Sequence, residues 1–255
     1  MKNKIITFAV VIILVFFTQY VSAIDLEDCT TIPTQGTYYL IQDIYSTPND
    51  PKCFQITSDN VILDCGGHTI HGDGKKNSIG IYSNKDNTTI KNCIVENWDI
   101  GIKFHSANMG AIVNNTIRSN KEYGIYLTHN SDNNVIMNNR IYENEKGMYL
   151  TLACDSNIIF NNYFSDNYKN VEALGENFWN ITNHTGTNII GGSNIGGNYF
   201  SDYTGTDNNG DGFGEDIYNN IGGSNKDNLP LAIPEVPTIF LSIGVMFLSL
   251  LRMKK

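Results

Sequence analysis

The chain has 255 residues, a formal charge of -9 and charged side chains at 17% of positions. An acidic, charge-poor chain lacks the basic face that binding to nucleic acid requires, so no nucleic-acid partner is expected. Much of the polar surface is carried instead by 35 asparagines, and the length suits one sizeable domain with processing segments at its ends.

Residues 1–23 read as a secretory signal. Lys2 and Lys4 give a positive start, Ile5 to Phe17 is an almost unbroken apolar run, and Val21-Ser22-Ala23 is a small-residue cleavage site. The competing reading is an uncleaved anchor, but the run is short for a hydrocarbon core of ~30 Å at ~1.5 Å per residue. Residues 24–58 are expected to cap the first open end of a repeat. Within them Cys29 and Cys53 flank the strand-like Gly36-Thr37-Tyr38-Tyr39-Leu40 and a turn, which makes them a candidate disulfide in an oxidising compartment. Cys65 and Cys93 either pair across neighbouring coils or fill buried positions, and Cys154 is left over. The absence of Cys-x-x-Cys argues against zinc.

Residues 59–200 carry an internal repeat. Gly101-Ile102, Gly124-Ile125 and Gly147-Met148 recur at a constant interval, preceded by Gly80-Ile81 and followed by Asn170-Val171. Further columns are Ile94, Ile117, Ile141 and Phe164; Asn97, Asn120, Asn144 and Asn167; and Asn92, Asn115, Asn139 and Asn162. Triplets such as Ile125-Tyr126-Leu127 and Met148-Tyr149-Leu150 alternate as a strand with one buried face does. Gly and Asn lie too densely for helices. A unit of about 23 residues cannot bury its own apolar face, whereas stacked units can, each bonding to the next about 4.8 Å away. The expected fold is all-β: a single-stranded right-handed parallel β-helix with coils of about 23 residues. Its interior is expected to hold Ile94, Ile102, Phe104, Ile117, Ile125, Leu127, Ile141, Met148, Leu150, Phe164 and Val171. The asparagines are expected to form ladders at the turns, since Asn tolerates left-handed backbone and stacked amides bond from coil to coil.

Asp59-Asn60-Val61-Ile62-Leu63-Asp64-Cys65-Gly66-Gly67-His68-Thr69-Ile70, within the stretch from Cys29 to Gly72, resembles the first coil of NosD-like right-handed β-helix proteins, common on archaeal surfaces. Gly197-Asn198-Tyr199-Phe200-Ser201-Asp202-Tyr203 resembles the ending of the same family. The resemblance spans roughly Cys29 to Leu231. It implies the fold strongly and an activity weakly, with a copper-site accessory role as one implied alternative. Copper would require clustered His, Cys or Met. His68 and His71 tend to opposite faces of a strand, and His105 and His129 fall one position out of register on neighbouring coils.

Other candidate sites follow from the residues themselves. In the acidic, Gly- and Asn-rich segment 201–232, Asp207, Asn209, Asp211, Phe213 and Glu215 match the first part of a calcium loop, with Gly212 at the sixth position and Tyr218 where a closing Glu belongs. A structural calcium ion is the expected cofactor. Tyr82, Lys103, Tyr126 and Tyr149 occupy the middle of equivalent strand triplets and should form one outward column. The three tyrosines are therefore candidates for binding a glycan, against the plainer reading that Tyr suits an exposed strand. Asp99 with Glu122, and Glu143 with Asp166, stand at matching turns and would suit a glycosidase or lyase type of enzyme. The chain has only three arginines, however, and no Gly-His-Gly motif. Asn87, Asn114, Asn180 and Asn183 open sequons for N-glycosylation, with Asn114 in a turn where burial would block it.

Residues 233–255 form a proline-marked linker, an apolar run and the basic Arg252, Lys254 and Lys255. Pro234-Glu235-Val236-Pro237 followed by that run resembles a PEF-type carboxy-terminal sorting signal, and a short membrane anchor is the equal alternative. The expected partners are a glycan along the body and a sorting enzyme or the membrane at the tail. The functional expectation is an exported module on the outer face of the envelope, binding carbohydrate or contributing to the envelope itself. A carbohydrate-active enzyme and a copper-site accessory protein are the alternatives.

Overall fold

The structure is a computed structural model that describes residues 23–46 and 51–233. The signal-like start and the anchor-like end lie outside the described residues. Among the described residues there is no helix. Three parallel sheets of seven strands each run the length of a β-helix. The first sheet contains Ile24–Leu26, Gly36–Leu40, Val61–Asp64, Thr89–Lys91, Ala111–Val113, Val135–Met137 and Ile158–Phe160. The second contains Ile44–Tyr45, Thr69–His71, Ile94–Glu96, Thr116–Arg118, Arg140–Tyr142, Tyr163–Ser165 and Tyr199–Phe200. The third contains Thr30–Ile32, Lys52–Ile56, Ile79–Ser83, Ile100–His105, Tyr123–Thr128, Lys146–Leu150 and Lys169–Ala173. The expected parallel β-helix is therefore present. The segment 24–58 supplies strands to all three sheets.

Each short strand turns one or two apolar side chains inward. Ile90, Ile112, Ile136 and Ile159 line the first sheet, Ile70, Val95, Ile117, Ile141 and Phe164 the second, and Ile102, Ile125, Met148 and Val171 the third, all fully buried. One expected core residue is misplaced by one position. Ile94 pairs with Thr116 on the half-exposed outer side, and Val95 pairs with Ile117 inside. The cause is a short coil: here equivalent residues lie 22 apart, against 24 and 23 in the next two coils.

The same slip conceals two distinct asparagine columns. At each turn a left-handed residue precedes a buried ladder residue. Asn92, Asn114, Asn138 and Asn161 have φ between 53° and 59°. The residues that follow them, Cys93, Asn115, Asn139 and Asn162, form the ladder. Asn97, Ser119, Glu143 and Asp166 likewise precede Trp98, Asn120, Asn144 and Asn167. Asn92 and Asn97 thus belong to the left-handed columns, not to the ladders in which the sequence columns had placed them. The two jobs differ physically. The left-handed position favours Asn because its short side chain tolerates positive φ. The ladder position requires an amide because its oxygen accepts, and its nitrogen donates, in the dry interior.

Three such ladders run through the later coils, beginning at Asn115, Asn120 and Asn134, and all point the same way. Asn115 Nδ2 donates to Asn139, Asn139 to Asn162, Asn162 to Asn198, and Asn198 to the carboxylate of Asp227 at 3.1 Å. The second runs from Asn120 through Asn144, Asn167 and Asn170 to Asp202. The third runs from Asn134 through Asn157 to Asn177, whose N–H meets Asn225. A chain of amides that donate in one direction is satisfied by an acceptor at its far end, and a carboxylate is acceptor-only. The C-terminal segment supplies those ends. At the opposite end, ladder positions are taken by Cys93 in the Cys65–Cys93 disulfide, by Trp98 with Nε1 bonded to the Ile70 carbonyl, and by Gly110. A second disulfide joins Cys29 to Cys53.

The repeated glycines belong to the same device. A Cβ on Gly124 would lie 2.6 Å from the Gly147 carbonyl and 3.1 Å from Asn144 Nδ2. The ladder amide fills the space a side chain would need.

Candidate functional site

With the interior and turns assigned to packing, the outward side chains of the strands are left to carry function. The third sheet presents the widest aromatic and basic face. Register places Gln55, Tyr82, Lys103, Tyr126, Tyr149 and Glu172 in one outward column. Lys52, Tyr123, Lys146 and Lys169 lie beside it in a second column.

These residues form two clusters. Tyr123, Tyr126 and Tyr149 are near-parallel rings with centroids 4.6, 5.4 and 5.5 Å apart. Lys103 stands 4.9 Å from the Tyr126 ring, and Lys146 stands 4.7 Å from Tyr149 while its ammonium pairs with Glu172 at 2.7 Å. Burial, reinforced by Glu122, pushes the Tyr123 phenol well above the usual range, so it is a neutral hydroxyl at any physiological pH. The other cluster surrounds Tyr82. Lys52 lies 4.0 Å from its ring, His105 lies 6.3 Å away, and His129 lies 4.2 Å beyond His105. Tyr82 is thus cut off from the other tyrosines by Lys103. Burial, and then the charge of Lys52, lower the Lys103 amine, while burial, His129, Lys103 and Lys52 lower the His105 imidazole. The mutual depression marks a group of like charges gathered on one surface.

The second sheet carries a polar row not anticipated from the sequence. His71 Nδ1 lies 2.9 Å from Glu96, whose other oxygen accepts from Arg118 Nε at 2.6 Å, and Arg118 reaches the Tyr142 hydroxyl at 3.3 Å. These residues each follow an inward one, Ile70, Val95, Ile117 and Ile141. Correct register would have exposed the row. The Arg118 and His71 partners outweigh burial and hold the Glu96 carboxyl below its ordinary range. Arg140 and the stacked pair Tyr163 and Tyr199, 4.7 Å apart, line a further strip of this sheet.

Asp99 is mostly buried and accepts from the Asn77 N–H, Glu122 is exposed, Glu143 accepts from Ser119 and Asp166 from Ser165. Each of the three bonded carboxylates is therefore engaged by a donor of its own. In the 207–215 loop, Asp207 accepts from the N–H groups of Gly210, Asp211 and Gly212, Asn209 from Asp211, and Asp211 from Phe213. The Glu215 N–H donates to the Thr206 carbonyl. The oxygen-rich set suits a hard cation, yet its side chains here organise the turn itself. Among the described residues no three His, Cys, Asp or Glu side chains converge as a metal site. Asn87, Asn114 and Asn183 are exposed and Asn180 is half-buried. Asn87 Nδ2 donates to Asn60 and Asn114 Nδ2 to Asn92, while Asn180 Oδ1 accepts from Asn228.

A three-sheeted parallel β-helix with polarised amide ladders and an outward aromatic face defines the class as a β-helix surface module. A match to the family described as periplasmic copper-binding protein (NosD) spans residues 53–205, and the chain belongs to that family. No curated protein matches the chain. The copper named in the family's description does not fit the donors present. Four cysteines are locked in disulfides, Cys154 is buried with its thiol pushed up by burial, His68 pairs with Asp43 and His71 with Glu96. His105 and His129 give two imidazoles, and among the described residues no His, Cys, Asp or Glu joins them as a third ligand.

Proposed function

We propose that this protein is a non-catalytic module of the periplasm or outer cell envelope that binds a carbohydrate chain along its third sheet. One observation carries the reading: the contiguous Tyr123, Tyr126 and Tyr149 rings, half-buried on a regular face and flanked by Lys103 and Lys146. Tyrosine offers apolar ring surface and a hydroxyl at low entropic cost, the combination that sugar recognition uses. Export is supported by the two disulfides and by the periplasmic description of the family. The non-catalytic reading is supported by the turn carboxylates, which are held by their own neighbours instead of facing one another across a cleft.

The test is a glycan array comparing the wild type with a Tyr126→Ala, Tyr149→Ala double variant of unchanged thermal midpoint. Binding to at least one glycan class that drops by about tenfold or more in the variant is expected. Binding that is unchanged in the variant, or no binding to any glycan, would overturn the reading.

A further inference from the structure

The Tyr82 cluster differs from the tyrosine triad in its charge. Lys52 and Lys103 come from the strands on either side of the Tyr82 strand. Lys52 contacts the ring and Gln55, and His105 and His129 continue the patch. A cluster of cations is unexpected on a chain of charge -9. Glu122 raises the Lys103 amine by less than burial or Lys52 lowers it. Cations held together against their own repulsion form a ready site for an anion.

Three lysines, Lys52, Lys103 and Lys146, lie on alternate strands of the third sheet. At about 4.8 Å per strand they stand about 9.6 Å apart along the axis, and Lys169, on the strand after Lys146, lies outside that spacing. That interval is close to the repeat of two sugar rings in an extended 1,4-linked chain. Lys146 is partly neutralised by Glu172, so the Lys52–Tyr82–Lys103 group is the strongest seat.

Resting on the carbohydrate reading above, we infer that the ligand is an acidic polysaccharide. It lies along the helix axis with a carboxylate between Lys52 and Lys103 and its neutral rings against Tyr126 and Tyr149. Two macromolecular polyanions share the charge, but the notched pattern of separate cations between aromatic rings fits a chain with spaced acid groups better than the dense phosphates of a nucleic acid.

The test uses the folded protein and a polysaccharide of defined length that alternates uronate with neutral sugars, its carboxyl-reduced form with the same linkages, and a single-stranded oligonucleotide of equal charge. Binding is measured by titration calorimetry at two salt concentrations. Binding to the alternating acidic chain is expected to be at least about tenfold tighter than to the reduced chain, to weaken with salt, and to lose that advantage in a Lys52→Gln, Lys103→Gln variant. A Lys52→Arg, Lys103→Arg variant should retain it, which separates charge from folding. Equal affinity for the reduced chain would overturn the inference and leave the carbohydrate reading standing. Equal affinity for the oligonucleotide would replace it with general polyanion binding. An advantage that survives in the Lys→Gln variant would remove the site. Failure of every glycan on the array would remove both readings.

Discussion

Replacing Asn139 by Ala tests the ladder at its middle. The residue is fully buried, and its Oδ1 accepts from both the Asn115 N–H and Asn115 Nδ2 at 3.0 Å. Its Nδ2 donates to the carbonyls of Ile112 at 2.8 Å and Met137 at 3.0 Å and to Asn162 Oδ1 at 2.9 Å. After truncation the Asn115 backbone N–H has no acceptor. Asn115 Nδ2 keeps the Ile90 carbonyl, and Met137 keeps the Asn114 N–H. The main orphans are one backbone donor and one side-chain hydrogen, since the Ile112 carbonyl stays in the parallel ladder with Val135–Met137. At 1–3 kcal/mol for each buried group left unmade, the loss is about 2–6 kcal/mol. The neighbouring Asn114 is exposed and left-handed, so Asn114→Gly should change stability by only a few tenths of a kcal/mol, roughly the balance between a lost surface hydrogen bond and relieved φ. Guanidinium unfolding followed by far-UV circular dichroism reads both. A loss below about 1 kcal/mol for Asn139→Ala, or equal losses for the two variants, would refute the division of the asparagines into left-handed and ladder roles.

Three further outcomes follow from the same contacts. Burial pushes the Asp227 carboxyl up to about 7, from the ordinary carboxylate value of 3.8, against the pull of the Asn198 and Leu229 N–H donors. A raised folded-state value means that its contribution is full below about pH 4 and is lost as pH rises through 7, on the order of 4 kcal/mol in the limit. The thermal midpoint should therefore fall between pH 5 and 8 in the wild type and flatten in Asp227→Asn, and parallel profiles would exclude Asp227 as the source. Gly124→Ala should cost about 1–3 kcal/mol, because the new methyl meets a backbone carbonyl that the next coil cannot move, and a neutral result in the same unfolding assay would contradict the stacking. Cys65→Ala with Cys93→Ser should cost about 3.5 kcal/mol by the chain-entropy account for a 28-residue separation, and a loss under ~1 kcal/mol would show that the first ladder does not depend on that staple.

The period of the repeat was legible in the sequence because each coil repeats the same four constraints: an inward aliphatic, a left-handed turn residue, a ladder amide and a glycine beneath it. From Gly101 onward those constraints align in the sequence as they do in space. They fail to align at the first ladder coil, where Cys93 and Trp98 replace amides and the coil shortens, so a column of identical letters placed Asn92, Asn97 and Ile94 one step from their true equivalents. Letter identity rewards Asn over Asn even when one is left-handed at the surface and the other is buried. The polar row His71, Glu96, Arg118 and Tyr142 was missed for the same reason, since its members share a face and no residue type. The clustering of His105 with His129 was hidden differently: their backbones are out of register, and only the side chains bring the rings together.

The ladders also determine where variation is free. Inward aliphatics, ladder amides and close-packed glycines are each fixed by a neighbour on the adjacent coil, so a change there propagates along the axis. The outward residues of the third sheet carry no such bond to the next coil's backbone. Tyr82, Lys103, Tyr126 and Tyr149 therefore occupy one structural position with either an aromatic ring or an ammonium, without disturbing the stack. On the proposed carbohydrate reading, this surface, which the fold leaves unspecified, holds its aromatic rings and lysines for a ligand and not for coil stability. Coil stacking sets the spacing of that surface, and the outward side chains set its chemistry.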